Sequence, residues 1–91
     1  MDTMILEKSR RDGGGFGKFR AMTLEEAKAL PRGSYIWLRM TNGGAQQFKT
    51  YNTGITNLKR VRLATLCFDI TEREILDGQV LVEITRDEEP L

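Results

Sequence analysis

The sequence contains no histidine, one cysteine and no long hydrophobic run. Without histidine it lacks the commonest general base and the commonest metal ligand at neutral pH. Cys67 has no second cysteine, which excludes an intramolecular disulfide and a thiolate zinc site within one chain. The N-terminus MDTMILEK predicts neither a signal peptide nor a membrane span. We therefore expect a cytoplasmic, non-enzymatic protein with no catalytic residues, no metal and no cofactor.

Acidic residues are absent from the middle of the chain. Residues 27–68 carry seven Lys and Arg residues and no Asp or Glu, whereas residues 69–91 carry eight carboxylates and two arginines. Such asymmetry indicates a basic face for a polyanion, an acidic interaction segment, or both. The alternative is that the two blocks neutralise each other within the fold, because a charge block along the chain need not form a patch in space.

The length and composition predict one small folded domain. The chain has 91 residues, of which 40% are hydrophobic and 30% are charged, as in ordinary globular proteins. We divide it into an N-terminal segment, residues 1–20, with a flexible glycine-rich basic arm; an α+β domain, residues 21–86; and an acidic tail, residues 87–91.

Two stretches carry helix-capping signals. In TLEEAKALP the threonine and the second glutamate have capping-box spacing and a proline ends the run, which predicts a helix from about Leu24 to Leu30. The stretch TEREILDG, residues 71–78, repeats the capping spacing and ends in glycine, which predicts a second, shorter helix.

A β-hairpin is the strongest structural prediction. The runs SYIWLRM and AQQFKTY, residues 34–40 and 45–51, have strand-like patterns, and NGG lies between them. Both two-residue loops that NGG allows place the same side chains on one face: Tyr35, Trp37, Arg39, Gln46, Phe48 and Thr50. A three-residue loop would break this assignment.

The remaining elements complete an α+β order. MILEK is a candidate first strand and QVLVEIT a closing strand, while VRLATLCFDI is compatible with a strand or a helix, of which we favour the strand. The expected fold is therefore a small single α+β domain, built on an antiparallel sheet or on an SH3-like or OB-like small barrel, with one or two short helices.

The stretch RRDGGGFGKFR, residues 10–20, invites comparison with a phosphate-binding loop. Asp12 stands where a Walker A loop needs glycine, and Phe19 stands where it needs Ser or Thr. The stretch also does not match the dinucleotide-binding fingerprint, which needs a hydrophobic strand before it and a helix that begins at its last glycine. We interpret the stretch as a mobile basic arm, or alternatively as a linker whose aromatic rings dock on the core.

The first functional hypothesis is binding of nucleic acid, with single strands favoured. Basic residues would contact phosphates while Trp37 and Phe48 stack on bases, although aromatic residues of this kind more often pack in a core. The predicted nucleic-acid site comprises Arg10, Arg11, Lys18, Arg20, Trp37, Arg39, Phe48, Lys49, Lys59, Arg60 and Arg62.

The alternative hypothesis is a non-enzymatic inhibitor or adaptor that binds a larger host protein. Small accessory proteins of phages and mobile elements, including anti-defence proteins, share this size and lack of motifs. The acidic segment would then cover a basic surface of the partner through Asp69, Glu72, Glu74, Asp77 and Glu83. Self-association into a homodimer through an exposed hairpin or the closing strand is a further prediction, and no membrane partner is expected.

Overall fold

The computed structural model describes residues 2–56, 60–66 and 68–85, and for residues 52–56 and 60 it describes the backbone alone. Lys59, Cys67 and the predicted acidic tail therefore lie outside the described residues. The strands are β1 Thr3–Glu7, β2 Phe16–Ala21, β3 Tyr35–Arg39, β4 Ala45–Thr56, β5 Arg60–Thr65, β6 Asp69–Thr71 and β7 Val80–Glu83, and the helices are α1 Leu24–Ala29 and α2 Glu72–Leu76.

The strands form one seven-stranded sheet in the order β1-β2-β7-β3-β4-β5-β6, and every neighbouring pair is antiparallel. This confirms the predicted α+β class with an antiparallel sheet and two short helices. The sheet also curls, because Lys8, just after β1, forms a parallel bridge with Ala45 at the start of β4. No helix among the described residues is long and apolar enough to cross a membrane.

Two apolar clusters lie on opposite faces of this sheet. The larger one fills the space between the sheet and the helices and contains Met22, Ala27, Ile36, Leu38, Phe48, Val61, Leu63, Ile70, Ile75 and Val80. The smaller one lies inside the curl and contains Leu6, Phe19, Trp37, Ala45 and Leu81. Because strand side chains alternate between faces, neighbours such as Ile36 and Trp37 supply different clusters.

Helix α1 begins as its sequence predicts. The Thr23 hydroxyl accepts a hydrogen bond from the Glu26 backbone N–H, and the Glu26 carboxylate accepts one from the Thr23 N–H, which completes the capping box. The same carboxylate accepts two hydrogen bonds from the Arg20 guanidinium, at 2.6 and 2.7 Å. These bonds, chiefly those from Arg20, lower the pKa of Glu26 to about 2. The pair attaches α1 to β2.

We predict that Glu26→Gln lowers the free energy of unfolding at pH 7 by about 1 kcal/mol, because a partly exposed ion pair and a helix cap are weakened together. The pKa of Glu26 is lower in the folded state, so the charge stabilises the fold above its ordinary pKa of 4.5. That contribution disappears as pH falls towards 2. Urea unfolding at pH 7 and pH 2.5 measures both values.

Glu25→Gln is the matched control, since Glu25 is exposed on the same helix turn. Its effect should stay within about 0.5 kcal/mol. An equal loss for Glu26→Gln at both pH values would show that the charge of Glu26 contributes nothing.

The segment before α2 forms two strands where a single strand was favoured. Residues 61–70, favoured as a single strand, contain most of β5 and the start of β6, and the chain reverses between them as the Thr65 N–H donates to the Phe68 carbonyl at 2.8 Å. Helix α2 forms where its capping signals predict it, with the Glu74 carboxylate accepting from the Thr71 hydroxyl at 3.2 Å.

The hairpin forms between the predicted strands, but the predicted register is wrong. The Met40 N–H donates to the Gly44 carbonyl, which leaves three loop residues, and Gly43 adopts a φ of 90°. Trp37 consequently pairs with Gln47, and Phe48 pairs with Ile36. Since a shift of one residue moves side chains to the opposite face, Trp37 and Phe48 lie on different faces of the sheet.

Candidate functional site

The two aromatic rings predicted to stack on bases are both buried. Trp37 is 7% exposed and meets Phe19 edge to face, with ring centroids 5.1 Å apart. Phe48 is 9% exposed and lies in the larger cluster, where it meets Phe68 at 5.3 Å. The predicted stacking platform is therefore absent, and both rings have the packing role that the sequence left as the alternative.

The glycine-rich stretch is an ordered turn and a strand, where a mobile arm was predicted. Residues 10–12 form a 3₁₀ turn between β1 and β2, and Gly13, Gly14 and Gly15 adopt positive φ angles. The Gly13 and Gly14 N–H groups donate to carbonyls within the turn, so neither is directed towards a ligand. The Asp12 carboxylate accepts from the Gln47 N–H at 2.9 Å and attaches the turn to β4.

Several of the predicted phosphate ligands have partners inside the protein. The Arg11 guanidinium lies 4.7 Å from the Phe48 ring and donates to the Gln47 carbonyl. Arg20 binds Glu26, and Arg62 binds Asp69. This last ion pair joins the acid-free segment to the acidic one, so the two charge blocks neutralise each other in part.

The other predicted cations are distributed over the molecule. Arg10 is exposed on the 3₁₀ turn, and Lys18 is half-buried on β2. Arg39 and Lys49 are exposed at opposite ends of the hairpin, where they pair with Ala45 and Tyr35 respectively. Lys49 is opposite Tyr35, which is four positions from Arg39 along β3, a distance of roughly 13 Å. The side chain of Arg60 is outside the described part of the chain, as is Lys59.

The predicted acidic site is similarly divided. Glu72, Glu74 and Asp77 belong to α2 or its end, and the Glu74 carboxylate accepts a hydrogen bond from the N-cap residue Thr71. Asp69 precedes α2 and binds Arg62. Glu83 lies instead on β7, where its carboxylate is 2.5 Å from the Lys8 ammonium.

The outer face of the β1–β2 hairpin exposes large apolar side chains that the sequence did not single out. Ile5 is 65% exposed and Phe16 is 70% exposed. In the register of the two strands Phe16 is opposite Glu7, so Ile5, Glu7 and Phe16 share one face. Exposed apolar side chains that lie close together are typical of interaction surfaces.

These residues line an open groove of about 520 Å³. One wall is the end of β1, and the other is the β3–β4 loop with the start of β4. We call it the β1 groove, and its lining residues are Ile5, Leu6, Glu7, Lys8, Ser9, Phe16, Met40, Asn42, Gly43, Gly44, Ala45 and Gln46. A smaller cavity of about 190 Å³ lies near α2, between Leu38, Phe68 and Ile70.

The backbone of β1 is unpaired on the groove side as far as Leu6. The Lys8 N–H donates to the Gly15 carbonyl at 2.8 Å, so Lys8 faces β2. Because hydrogen-bonding direction alternates along a strand, Leu6 and Met4 also face β2, whereas Ile5 and Glu7 direct their N–H groups away from it. Ser9, two residues after Glu7, continues this direction and donates to the Ala45 carbonyl at 3.0 Å. No strand of the described residues covers this edge at Thr3 and Ile5, whereas the parallel bridge between Lys8 and Ala45 places the start of β4 beside Glu7.

Glu7 is the charged side chain of the groove that lacks an ion pair among the described residues. It is exposed, whereas the neighbouring Lys8 binds Glu83 and lies 5.6 Å from the centre of the Trp37 ring. The groove therefore combines two apolar side chains, an unpaired strand edge and one negative charge.

No protein-family model, curated protein or solved structure matches this chain.

Proposed function

We propose that the protein is a non-enzymatic protein-binding module, an inhibitor or adaptor, whose binding site is the β1 groove. The observation that carries the proposal is the exposure of Ile5 and Phe16 beside an unpaired strand edge. Edge strands in other proteins are commonly protected by charges, proline or bulges. Thr3–Glu7 contains a single charged residue, no proline and no bulge.

The described residues favour a protein ligand over a nucleic acid. Trp37 and Phe48 are buried, and Arg11, Arg20 and Arg62 have internal partners. The charge that the β1 groove offers to a ligand is negative, through Glu7, which disfavours phosphate. Nucleic-acid binding remains a prediction that the experiment below also tests.

The groove is also a better-supported binding site than the acidic segment. Asp69 is neutralised by Arg62, and Glu83 is neutralised by Lys8. Binding a basic partner through these carboxylates would require the internal pairs to break. The apolar side chains of the groove need no such exchange, since Ile5 and Phe16 are already exposed to water.

The proposal predicts that the double variant Ile5→Ser, Phe16→Ser loses its partner. Immobilised protein would capture binding proteins from a nuclease-treated native extract, and mass spectrometry would quantify them. Removing two exposed apolar contacts should reduce capture of the specific partner at least about tenfold. Because both residues are exposed, folding should be preserved, which circular dichroism would check.

Leu76→Ser is the matched control. Leu76 is 64% exposed on α2, outside the β1 groove, so its replacement removes one exposed apolar side chain elsewhere. Capture that the double variant leaves unchanged would disprove the proposal. Capture from an untreated extract that is lost when the extract is treated with nuclease would favour the nucleic-acid hypothesis instead.

A further inference from the structure

We infer that a second surface of the protein, the tyrosine platform formed by Tyr35, Lys49 and Tyr51, binds single-stranded nucleic acid. The two tyrosine rings stack on bases, and the lysine binds a phosphate. This activity goes beyond the proposed function, because the platform and the β1 groove are at opposite ends of the β3–β4 hairpin. The buried rings and internally paired arginines that disfavour nucleic acid elsewhere do not belong to the platform.

The three side chains of the platform are exposed on one face of the sheet. Tyr35 is 62% exposed and Tyr51 is 50% exposed. Lys49 is also exposed and is directly opposite Tyr35 in the register of β3 and β4. Thr50 is buried between Lys49 and Tyr51, so these two side chains are both on the other side of the strand. Side chains placed in this way have Cβ atoms about 5–8 Å apart, which allows one ligand to contact all three.

An irregularity in β4 contributes to the exposure of Tyr51. The pairing of β4 with β5 shifts by one residue between Thr50 and Asn52, which leaves Tyr51 as an extra residue without a partner on β5. Bulges of this kind redirect side chains and are common beside functional sites. The bulge is therefore a second feature, besides exposure, that favours a binding role for this ring.

Lys49 is the uncompensated charge beside the two rings, since it has no ion pair among the described residues. Glu83, on the same face of β7, is bound by Lys8 at 2.5 Å. Asp69, on the same face of β6, is bound by Arg62. An anion that approaches the rings therefore meets a positive charge and no unpaired carboxylate of the described strands on this face.

An unpaired strand of nucleic acid fits this combination. Exposed aromatic rings beside a cation bind single strands with little sequence preference, because every base has a face on which a ring can stack. In a duplex those faces are covered by the neighbouring base pairs. The platform belongs to the acid-free segment, residues 27–68, whose charge predicts a basic face. Its tyrosines take the stacking role that the buried Trp37 and Phe48 cannot fill.

Binding of labelled oligonucleotides tests the inference. The probes are oligo-dT, oligo-U and a DNA duplex, each of about ten nucleotides, and fluorescence anisotropy measures their affinity for the full chain from about 50 mM salt upwards. We expect at least one single strand to bind at least about tenfold more tightly than the duplex, and the tighter strand distinguishes DNA from RNA. Tyr35→Ala, Tyr51→Ala should weaken that binding at least about tenfold. Tyr35→Phe, Tyr51→Phe keeps the rings and should retain it.

The charge of Lys49 and the position of the rings have separate controls. Lys49→Gln should lower the slope of log affinity against log salt concentration by about one, because one phosphate contact is lost. Lys28→Gln makes the same charge change at an exposed position on α1 and should leave the slope unchanged. Phe16→Ala removes an exposed ring of the β1 groove and should leave the affinity unchanged. Circular dichroism checks that each variant is folded.

Three results would overturn the inference: no binding of either single strand at about 50 mM salt, equal affinity for the duplex, or unchanged affinity of Tyr35→Ala, Tyr51→Ala. Binding of a proline-rich peptide to the platform in place of the oligonucleotides would also overturn it, since aromatic surfaces recognise such peptides as well. The proposed function fails separately, because its partner is captured from a nuclease-treated extract and Tyr35→Ala, Tyr51→Ala should still capture it.

Discussion

Phe19→Ala is expected to lower the free energy of unfolding by about 3–5 kcal/mol, the range for truncating a buried phenylalanine. Phe19 is 0% exposed and packs edge to face on Trp37 in the smaller cluster. That cluster has five buried members, so few neighbours are present to fill the resulting cavity. Small domains have stabilities of about 5–15 kcal/mol, so the variant should be marginally folded.

The measurement is urea unfolding followed by fluorescence of Trp37, the single tryptophan, whose ring contacts Phe19. Phe16→Ala is the matched control, because it makes the same replacement on the same strand at an exposed position. Its effect should stay within about 0.5 kcal/mol. Equal destabilisation by the two variants would show that the smaller cluster does not contribute to stability as the packing indicates.

Asp12→Ala is expected to cost about 2 kcal/mol, since it removes a charged acceptor from two donors. The Asp12 carboxylate accepts from the Gln47 N–H at 2.9 Å and from the Ser9 hydroxyl at 2.5 Å. The first of these bonds joins the glycine-rich turn to β4, 35 residues later in the chain. Without it, the Gln47 N–H loses its protein acceptor and the turn loses one of its attachments to that strand, leaving those made by Arg11.

Hydrogen exchange at the Gln47 amide, together with urea unfolding, would measure this effect. Exchange should become faster in Asp12→Ala. Asp12→Asn keeps an oxygen acceptor without the charge and should recover part of the stability. If Asp12→Ala exchanges at the rate of the natural protein, the contact does not hold the turn in solution.

Local structure was predictable because its determinants are local. The capping box at Thr23 and Glu26 and the capping signals of TEREILDG each predict a helix from residues within one turn, and both helices form there. The hairpin was located for the same reason. The register of the hairpin could not be predicted, because NGG is compatible with two-residue and three-residue loops. The structure has the three-residue loop.

The candidate site could not be predicted, because it depends on which strand lies at the edge of the sheet. Ile5 and Phe16 are hydrophobic residue types that usually pack in a core. Their exposure follows from the position of β1 in the strand order. The internal partners of the arginines are equally non-local. Arg62, for example, meets Asp69 because β5 pairs with β6.

The position of β7 has a consequence for the order of folding. This last strand of the sheet lies between β2 and β3 and pairs with both of them, although it follows them by about sixty and forty residues along the chain. The hairpins β1–β2 and β3–β4 are thus joined through a shared central strand only after residues 80–83 have been synthesised, since the other link between their strands is the short bridge between Lys8 and Ala45. Contacts this distant in sequence slow folding. Until β7 is inserted, a nascent chain exposes two further unpaired edges, which makes this interval the most vulnerable to aggregation.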